Sequence, residues 1–369
     1  MSEPIGEAIV LTNGDAGRPV AGVPLLLRTI LALQRAGVVR LTLVGDASVP
    51  ADPRIRLQVG TAPTLVPSED ERLRLIIGAG TVIDEALVRE LGRHARPGEV
   101  LEVERDGVRV RVAPGPLVAA PAGRTVDARG GMLGPAAADS HEQAAKLLRG
   151  LENPRDGYFD RLIYRRLSRP LTARLLRTPV TPNAVTVAGI LAGVAGGLLL
   201  GLPGAGPTLA AILLLLASSV LDCSDGELAR LRFAESKLGH WLDVTGDTVV
   251  HLALLGGIAL RLTTSGETPS MAAVIGLATG IAGAFATITM SEQAEARRRR
   301  VPSWENRVLD GVLSPLSTRD WYVFPVALAV IGRLGWLVPA AAVGAHVFWM
   351  TTAVLLRRAL RKSAEGLAR

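Results

Sequence analysis

The stretch "LLLLASSVLDCSDGELARLR" (Leu213–Arg232) begins as a run suited to hydrocarbon and ends in acids, Asp222, Asp225 and Glu227. A second acidic pair, Asp243 and Asp247, follows soon after. A charge at membrane depth is costly and seldom idle. The strictly apolar part of the first run, 208–221, is shorter than the roughly 20 residues that a bilayer crossing needs. The uninterrupted apolar part of the next run is mostly 249–260, with the same deficit. Both helices must therefore use their acid-bearing turns to complete the crossing. That puts the acids in the inner part of the span or at its interface.

The spacing then gives the acids a geometry. Asp222 and Asp225 are i,i+3, and Asp243 and Asp247 are i,i+4, so each pair lies on one helix face. An antiparallel hairpin turning near Ala234 and Glu235 sets Asp225 level with Asp243, and Asp222 level with Asp247. Four carboxylates converging at one level repel one another. Hard divalent cations remedy this, because magnesium takes oxygen ligands and shares them with substrate phosphates. Four acids suit two ions. Gly226, Ala229 and Gly239 beside them allow close helix approach and leave room for a ligand. Arg230 offers a planar fork to a phosphate or carboxylate. A lone aspartate here would be an ordinary helix-end residue at headgroup level; four at facing positions make a site. Cys223, Ser224, His240 and Thr245 read as packing or lining residues.

Outward from this hairpin, composition agrees with a membrane protein. Hydrophobic residues make up 49% of 369, and the mean hydropathy is +0.32. Most of the apolar mass follows Val185. Six spans can be drawn, at about 183–202, 207–230, 237–262, 270–291, 320–334 and 337–357. Arginine and lysine gather before the first span, between the second and third, in "EARRRRVPSWENR", and in "LLRRALRKS". The positive-inside rule then places both termini and the acids in the cytoplasm, with Arg333 a small exception. Before the first span, Phe159, Leu162, Ile163 and Leu167 share a helical face, and Arg161, Arg165, Arg166 and Arg169 cover much of the rest. This reads as an amphipathic helix lying on an anionic membrane surface. The net charge of +7 suits anionic partners. Aromatics at 4% argue against stacking platforms for nucleic acid. The single cysteine excludes an intrachain disulfide and a cysteine-based zinc site. "MSEPIGEAIVLTNGD" does not read as a signal peptide.

Residues 1–135 read as a small α/β layer domain, and 136–369 as an all-α membrane domain. In the first, "EAIVLT", "VRLTLVGD" and "LRLIIGAG" are strand candidates, "PLLLRTILALQRAG" and "IDEALVRELGRH" are helices, and "GEVLEVERDGVRVRVA" is a hairpin turning at Asp106-Gly107. Pro114–Ala138 reads as a loop or linker.

The acidic hairpin reads Asp222-x2-Asp225-Gly226-x2-Ala229-Arg230-x8-Gly239-x3-Asp243-x3-Asp247. It resembles the signature of the CDP-alcohol phosphatidyltransferase family at every fixed position, and "TPNAVT" (181–186) resembles the family's entry to its first membrane helix. The resemblance spans roughly Asn153 to the C-terminus. It implies transfer of a phosphoalcohol from a CDP-alcohol to the hydroxyl of a second alcohol, with release of CMP. It implies that Asp222, Asp225, Asp243 and Asp247 bind Mg2+ or Mn2+, two ions in all, and that Asp247 also takes the acceptor's proton. Asn183, Thr186, Gly226, Ala229, Arg230 and Gly239 would border the CDP-alcohol, and a homodimer is expected. Two metals can clamp an in-line displacement.

"VAGVPLLLRTILALQRAGVVRLTLV" resembles the early part of sugar-nucleotide nucleotidyltransferases. The glycine-rich loop is cut to "TNGDAGRP", and Ala79 or Thr81 stands where that family has a metal-binding aspartate. This domain reads as a shortened relative that has lost catalysis. The two-part layout is similar to bifunctional proteins joining inositol-1-phosphate cytidylyltransferase to di-myo-inositol-phosphate phosphate synthase, which favours the inositol phosphate branch. A phospholipid synthase using CDP-diacylglycerol is the near alternative. Arg297 to Arg300 and Arg319 are candidates for an acceptor phosphate, or for topology charge alone. An ion-coupled transporter is the rival from another class, but neither internal repeats nor broken helices are evident. A pseudoenzyme would be expected to lack one of the motif aspartates.

Overall fold

The structure is a computed structural model that describes residues 5–65, 72–96, 98–114, 123–126, 131, 133–136, 140–151, 159–313 and 323–367. The chain forms two compact units. One comprises residues 1–151 with 173–179 and 227–234; the other comprises 152–172, 180–226 and 235–369.

The first unit is α/β. Its strands are β1 (Glu7–Leu11), β2 (Pro19–Val20), β3 (Val23–Pro24), β4 (Arg40–Val44), β5 (Gln58–Ala62), β6 (Leu73–Ile77), β7 (Thr81–Ile83), β8 (Leu101–Arg105), β9 (Val108–Pro114), β10 (Arg124–Thr125) and β11 (Leu133–Pro135). Its helices are α1 (Leu25–Arg35), α2 (Glu85–His94) and α3 (Ser140–Gly150). The main sheet runs β10-β8-β9-β6-β1-β4-β5. β1, β4, β5 and β6 are parallel, while β9 is antiparallel to both β6 and β8. The β8–β9 hairpin turns at Asp106-Gly107, as its sequence predicts, with φ of 51° and 77°. Positive φ at both central residues is the turn whose twist matches paired strands. α2 starts at Asp84, whose side chain accepts from the Leu87 amide. Ile30, Leu33, Leu41, Leu43, Leu75, Leu87, Leu91 and Val112 are fully or almost fully buried between helices and sheet.

Buried charge in this unit comes with partners. Arg28, 3% exposed, donates to the carbonyls of Val20 and Leu231. Burial, with the neighbouring Arg35 charge, lowers its pKa to about 10. The guanidinium carbons of Arg28 and Arg35 lie 5.3 and 4.4 Å from the ring centre of Phe233. Phe233 has φ of +53°, a left-handed conformation that a bulky residue rarely adopts. Arg54 donates to the Arg232 carbonyl, and Arg232 to those of Leu175 and Thr178.

The second unit is helical. α4 (Arg165–Leu175) follows a wider helical turn at Asp160–Tyr164, then come α5 (Pro182–Leu200), α6 (Ala205–Arg232), α7 (Lys237–Thr264), α8 (Met271–Gln293), α9 (Glu295–Arg298), α10 (Trp304–Val308), α11 (Val323–Val330) and α12 (Leu337–Leu367). The last residues of α4 and the final turns of α6 are counted with the first unit. Among the described residues, α5, α6, α7, α8 and the segment Leu334–Glu365 are long and apolar enough to cross a membrane. The protein is an integral membrane protein. The expected span at 320–334 lies partly outside the described residues; its described helix, α11, has 8 residues. The expected surface helix is α4 with the turn before it, where Leu162 and Leu167 are exposed beside Arg161 and Arg166.

Close helix contact in this unit rests on glycine. A Cβ on Gly257 of α7 would lie 2.0 Å from the Gly197 carbonyl oxygen of α5, and one on Gly197 would lie 2.6 Å from the Leu254 nitrogen. Small residues let backbones touch where no hydrophobic force drives helices together. α6 and α7 are separated only by 233–236, close to the predicted turn, and Ser236 starts α7 by accepting from the Gly239 amide at 3.0 Å.

Candidate functional site

The turn after α6 brings α7 back alongside it, and the acids meet. Asp222, Asp243 and Asp247 each offer a carboxylate oxygen, and these oxygens all lie within 4.8 Å of one another. All three residues are half-buried. Three carboxylates at that range are a hard, oxygen-only donor set with strong mutual repulsion, which suits a divalent cation. Asp225, expected as a fourth member, is not in this group; it is 8% exposed, one turn further along α6.

A cleft with about 340 Å3 of empty space includes the three carboxylates and continues along the helices to Thr186, Gly189 and Ile190 of α5, Ser218 and Ser219 of α6, and Val250 of α7. Thr186 was anticipated. The remainder was not, although Ser218 stands four residues before Asp222 and so shares its helix face. Asn183 and Gly239 come together: a Cβ on Gly239 would lie 3.1 Å from Asn183 Oδ1. Thr181 caps α5 with Pro182 in its first turn, which fixes where Asn183 and Thr186 start. Gly226, Ala229 and Arg230 are half-buried on the turns of α6 after Asp222. Ser224 is buried and donates to the Val220 carbonyl, and Thr245 donates to that of Trp241, as packing hydroxyls do.

The basic run divides by its partners. Arg298 is 5% exposed, pairs with Asp310 at 2.6 Å and meets Asn306. Arg299 pairs with Glu295 at 2.9 Å and with Asp310 at 3.0 Å. Nearby, Lys362 lies 2.7 Å from the buried Glu305 and holds its carboxyl below the usual range. These two arginines tie the ends of α8–α10 together. Arg297 is exposed, and its carbonyl accepts from Ser363. Arg319 lies outside the described residues.

In the first unit, a smaller cleft lies at the C-terminal ends of β1 and β6, lined by Thr12, Asn13, Ala16, Gly78, Gly80 and Thr81 among others. β1 is flanked by β4 and β6 with the chain leaving in both directions, the place where parallel sheets bind ligands. Beside it, a Cβ on Gly80 would lie 3.6 Å from Asp15 Oδ2.

Residues 179–303, which hold the acid cluster, match the family model described as CDP-alcohol phosphatidyltransferase. The chain carries a CDP-alcohol phosphatidyltransferase domain. Relatives extend the likeness. A "Bifunctional IPC transferase and DIPP synthase" of Aquifex aeolicus is 29% identical over 182 residues, 49% of this chain and 39% of the relative. A protein of the same description from Thermococcus kodakarensis is 40% identical over 106 residues, 28% of this chain and 23% of the relative. A "Phosphatidylinositol phosphate synthase" of Mycobacterium marinum is 34% identical over 101 residues, 27% of this chain and 42% of the relative. The chain thus matches less than half the length of each. The CDP-alcohol phosphatidyltransferase domain contains Asn183, Thr186 and all the acids of the hairpin.

Proposed function

We propose that this protein transfers a phosphoalcohol group from a CDP-alcohol to the hydroxyl of a second alcohol, in the inositol phosphate branch. The observation that carries the proposal is the meeting of Asp222, Asp243 and Asp247 within 4.8 Å inside the matched domain. Asp222, Asp243 and Asp247, with Asp225 on the next turn, would hold divalent cations, taken here as two Mg2+. Such ions supply charge neutralisation to a diphosphate.

The chain's own groups do the remainder. Asn183, Thr186, Gly226, Ala229, Arg230 and Gly239 border the CDP-alcohol, with Arg230 set to pair with phosphate oxygen. Asp247 accepts the proton of the acceptor hydroxyl as its oxygen bonds to the phosphorus that bears the donor alcohol. The bond from that phosphorus to the CMP oxygen breaks, and CMP leaves with the electron pair. Half-burial of the carboxylates limits the water competing with the acceptor. Arg297 and Arg319 are proposed to receive the acceptor's phosphate.

Residues 1–135 form a nucleotidyltransferase-like domain without catalysis, and residues 136–369 form the phosphotransferase. Both termini and the site face the cytoplasm, α4 lies on the bilayer surface, and the protein is a homodimer. A second reading, a phospholipid synthase using CDP-diacylglycerol, is favoured by the Mycobacterium marinum relative's description.

Purified protein with Mg2+ is offered CDP-inositol, CDP-diacylglycerol or CDP-glycerol with inositol phosphate, and CMP release is measured. Release with CDP-inositol supports the proposal. Release with CDP-diacylglycerol alone replaces it with the second reading, and release with none refutes the activity. Formation of CDP-inositol from CTP and inositol phosphate would overturn the inactive first domain.

A further inference from the structure

The cleft does not stop at the carboxylates. It continues by about one helical turn on the side away from Gly226, Ala229 and Arg230, where three hydroxyl residues line it: Thr186, Ser218 and Ser219. Two of these hydroxyls are already committed. Thr186 donates to the Pro182 carbonyl at 3.1 Å, and Ser219 to the Leu215 carbonyl at 3.1 Å. That is how a hydroxyl in an apolar helix normally satisfies itself. Ser218, half-buried on the face it shares with Asp222, makes no hydrogen bond among the described residues. Its oxygen packs against a residue with no side chain: a Cβ on Gly193 would stand 2.7 Å from Ser218 Oγ and 2.7 Å from a methyl of Val250. Gly189 leaves the cleft open beside it.

We infer that Ser218 is a specificity-determining residue, whose hydroxyl hydrogen-bonds a hydroxyl on the donor alcohol of the CDP-alcohol. The inference rests on the phosphotransfer reading and deepens it by naming the substrate class, a compact polyol. Two features agree. Gly226, Ala229 and Arg230, taken to face the nucleotide, lie on the other side of Asp222 along α6, so the group beyond the reacting phosphorus is the alcohol. The cleft's lining combines hydroxyl residues with the apolar side chains of Ile190 and Val250, which matches a polyol's hydroxyls and C–H faces. A site that hydrogen-bonds a substrate hydroxyl also rejects the analogue that lacks it.

The test is binding in detergent with Mg2+, using CDP, CDP-inositol, CDP-cyclohexanol and CDP-diacylglycerol as probes on wild type and Ser218→Ala. Wild type should prefer CDP-inositol to CDP-cyclohexanol by roughly fivefold or more, the worth of one neutral hydrogen bond. Ser218→Ala should lose most of that preference while binding CDP and melting as wild type does. An equal loss for CDP, or an unchanged preference, overturns the inference. So does tighter binding of CDP-diacylglycerol that is insensitive to the substitution. A wild type unable to discriminate overturns it without any variant. Discrimination without CMP release from any donor would instead remove the phosphotransfer reading and leave the assignment of Ser218 standing. Failure to bind any CDP-alcohol removes both.

Discussion

In the α/β unit, a buried charge is surrounded by groups that satisfy it: Arg28 is 3% exposed, yet its guanidinium meets two carbonyls and an aromatic face. In the helical unit, Asp222, Asp243 and Asp247 gather at a range where three like charges repel. The first arrangement closes on itself and stabilises a fold. The second sets like charges side by side as an oxygen-only donor set, which suits a divalent cation. The contrast separates a buried charge that serves stability from half-buried charges proposed to serve chemistry.

That contrast can be broken most sharply at the acids. Asp247→Asn should cut CMP release by at least about 100-fold, the usual worth of a positioned proton acceptor, while the apo melting temperature stays level or rises as repulsion is relieved. Mg2+ should raise the melting temperature of wild type by mass action and do so less for Asp247→Asn. A variant that melts far below wild type would place Asp247 among the structural residues. Next in size is Gly257→Ala, whose Cβ would fall on the Gly197 carbonyl. Overpacking of this kind costs about 1–3 kcal/mol or more, read as a lower melting temperature in detergent. Arg28→Met should cost about 1–3 kcal/mol by leaving two carbonyls unpaired, read as faster proteolysis within residues 5–65. Arg28→Lys should not restore it, because an ammonium lacks the flat fork. The smallest effect belongs to Asp52, whose pKa is lowered to about 2 by the hydrogen bond from Arg54 at 2.8 Å. Its contribution is present above the ordinary carboxylate range and fades as pH falls through that range toward about 2. Asp52→Asn should therefore lower stability slightly at neutral pH, and the difference should vanish in acid; a difference that persists would assign the effect to packing.

Much of this division was legible in the sequence. The expected spans at 183–202, 207–230, 237–262 and 270–291 fall within about two residues of α5 to α8, and local chemistry starts three of these helices: Thr181, Ser236 and Ser270 cap α5, α7 and α8. Asp106-Gly107 announced its turn for the same reason. What escaped depends on neighbours distant in sequence. β5 reads "QVGTA", with a glycine at its centre and mostly exposed side chains, so it has no alternation to detect; its place is set by pairing with β4. The basic run looked uniform until the fold gave Arg298 and Arg299 to Asp310 and left Arg297 exposed. The acid spacing brought four carboxylates to one level, and Asp222, Asp243 and Asp247 form the closest group among them. Ser218 was hidden by resemblance to its neighbours, since Ser219 looks identical and points its hydroxyl back at its own helix.

One residue in the quoted hairpin has had only a packing role so far. Cys223 is the sole thiol of the chain, half-buried and directly after Asp222. A protein with one thiol needs no background cysteines removed before labelling. A small fluorine-bearing or nitroxide tag at Cys223 would ride on the helix turn between Asp222 and Asp225. Its spectrum would follow occupancy of the site directly, and the rate of its alkylation would time ligand arrival without any product being formed.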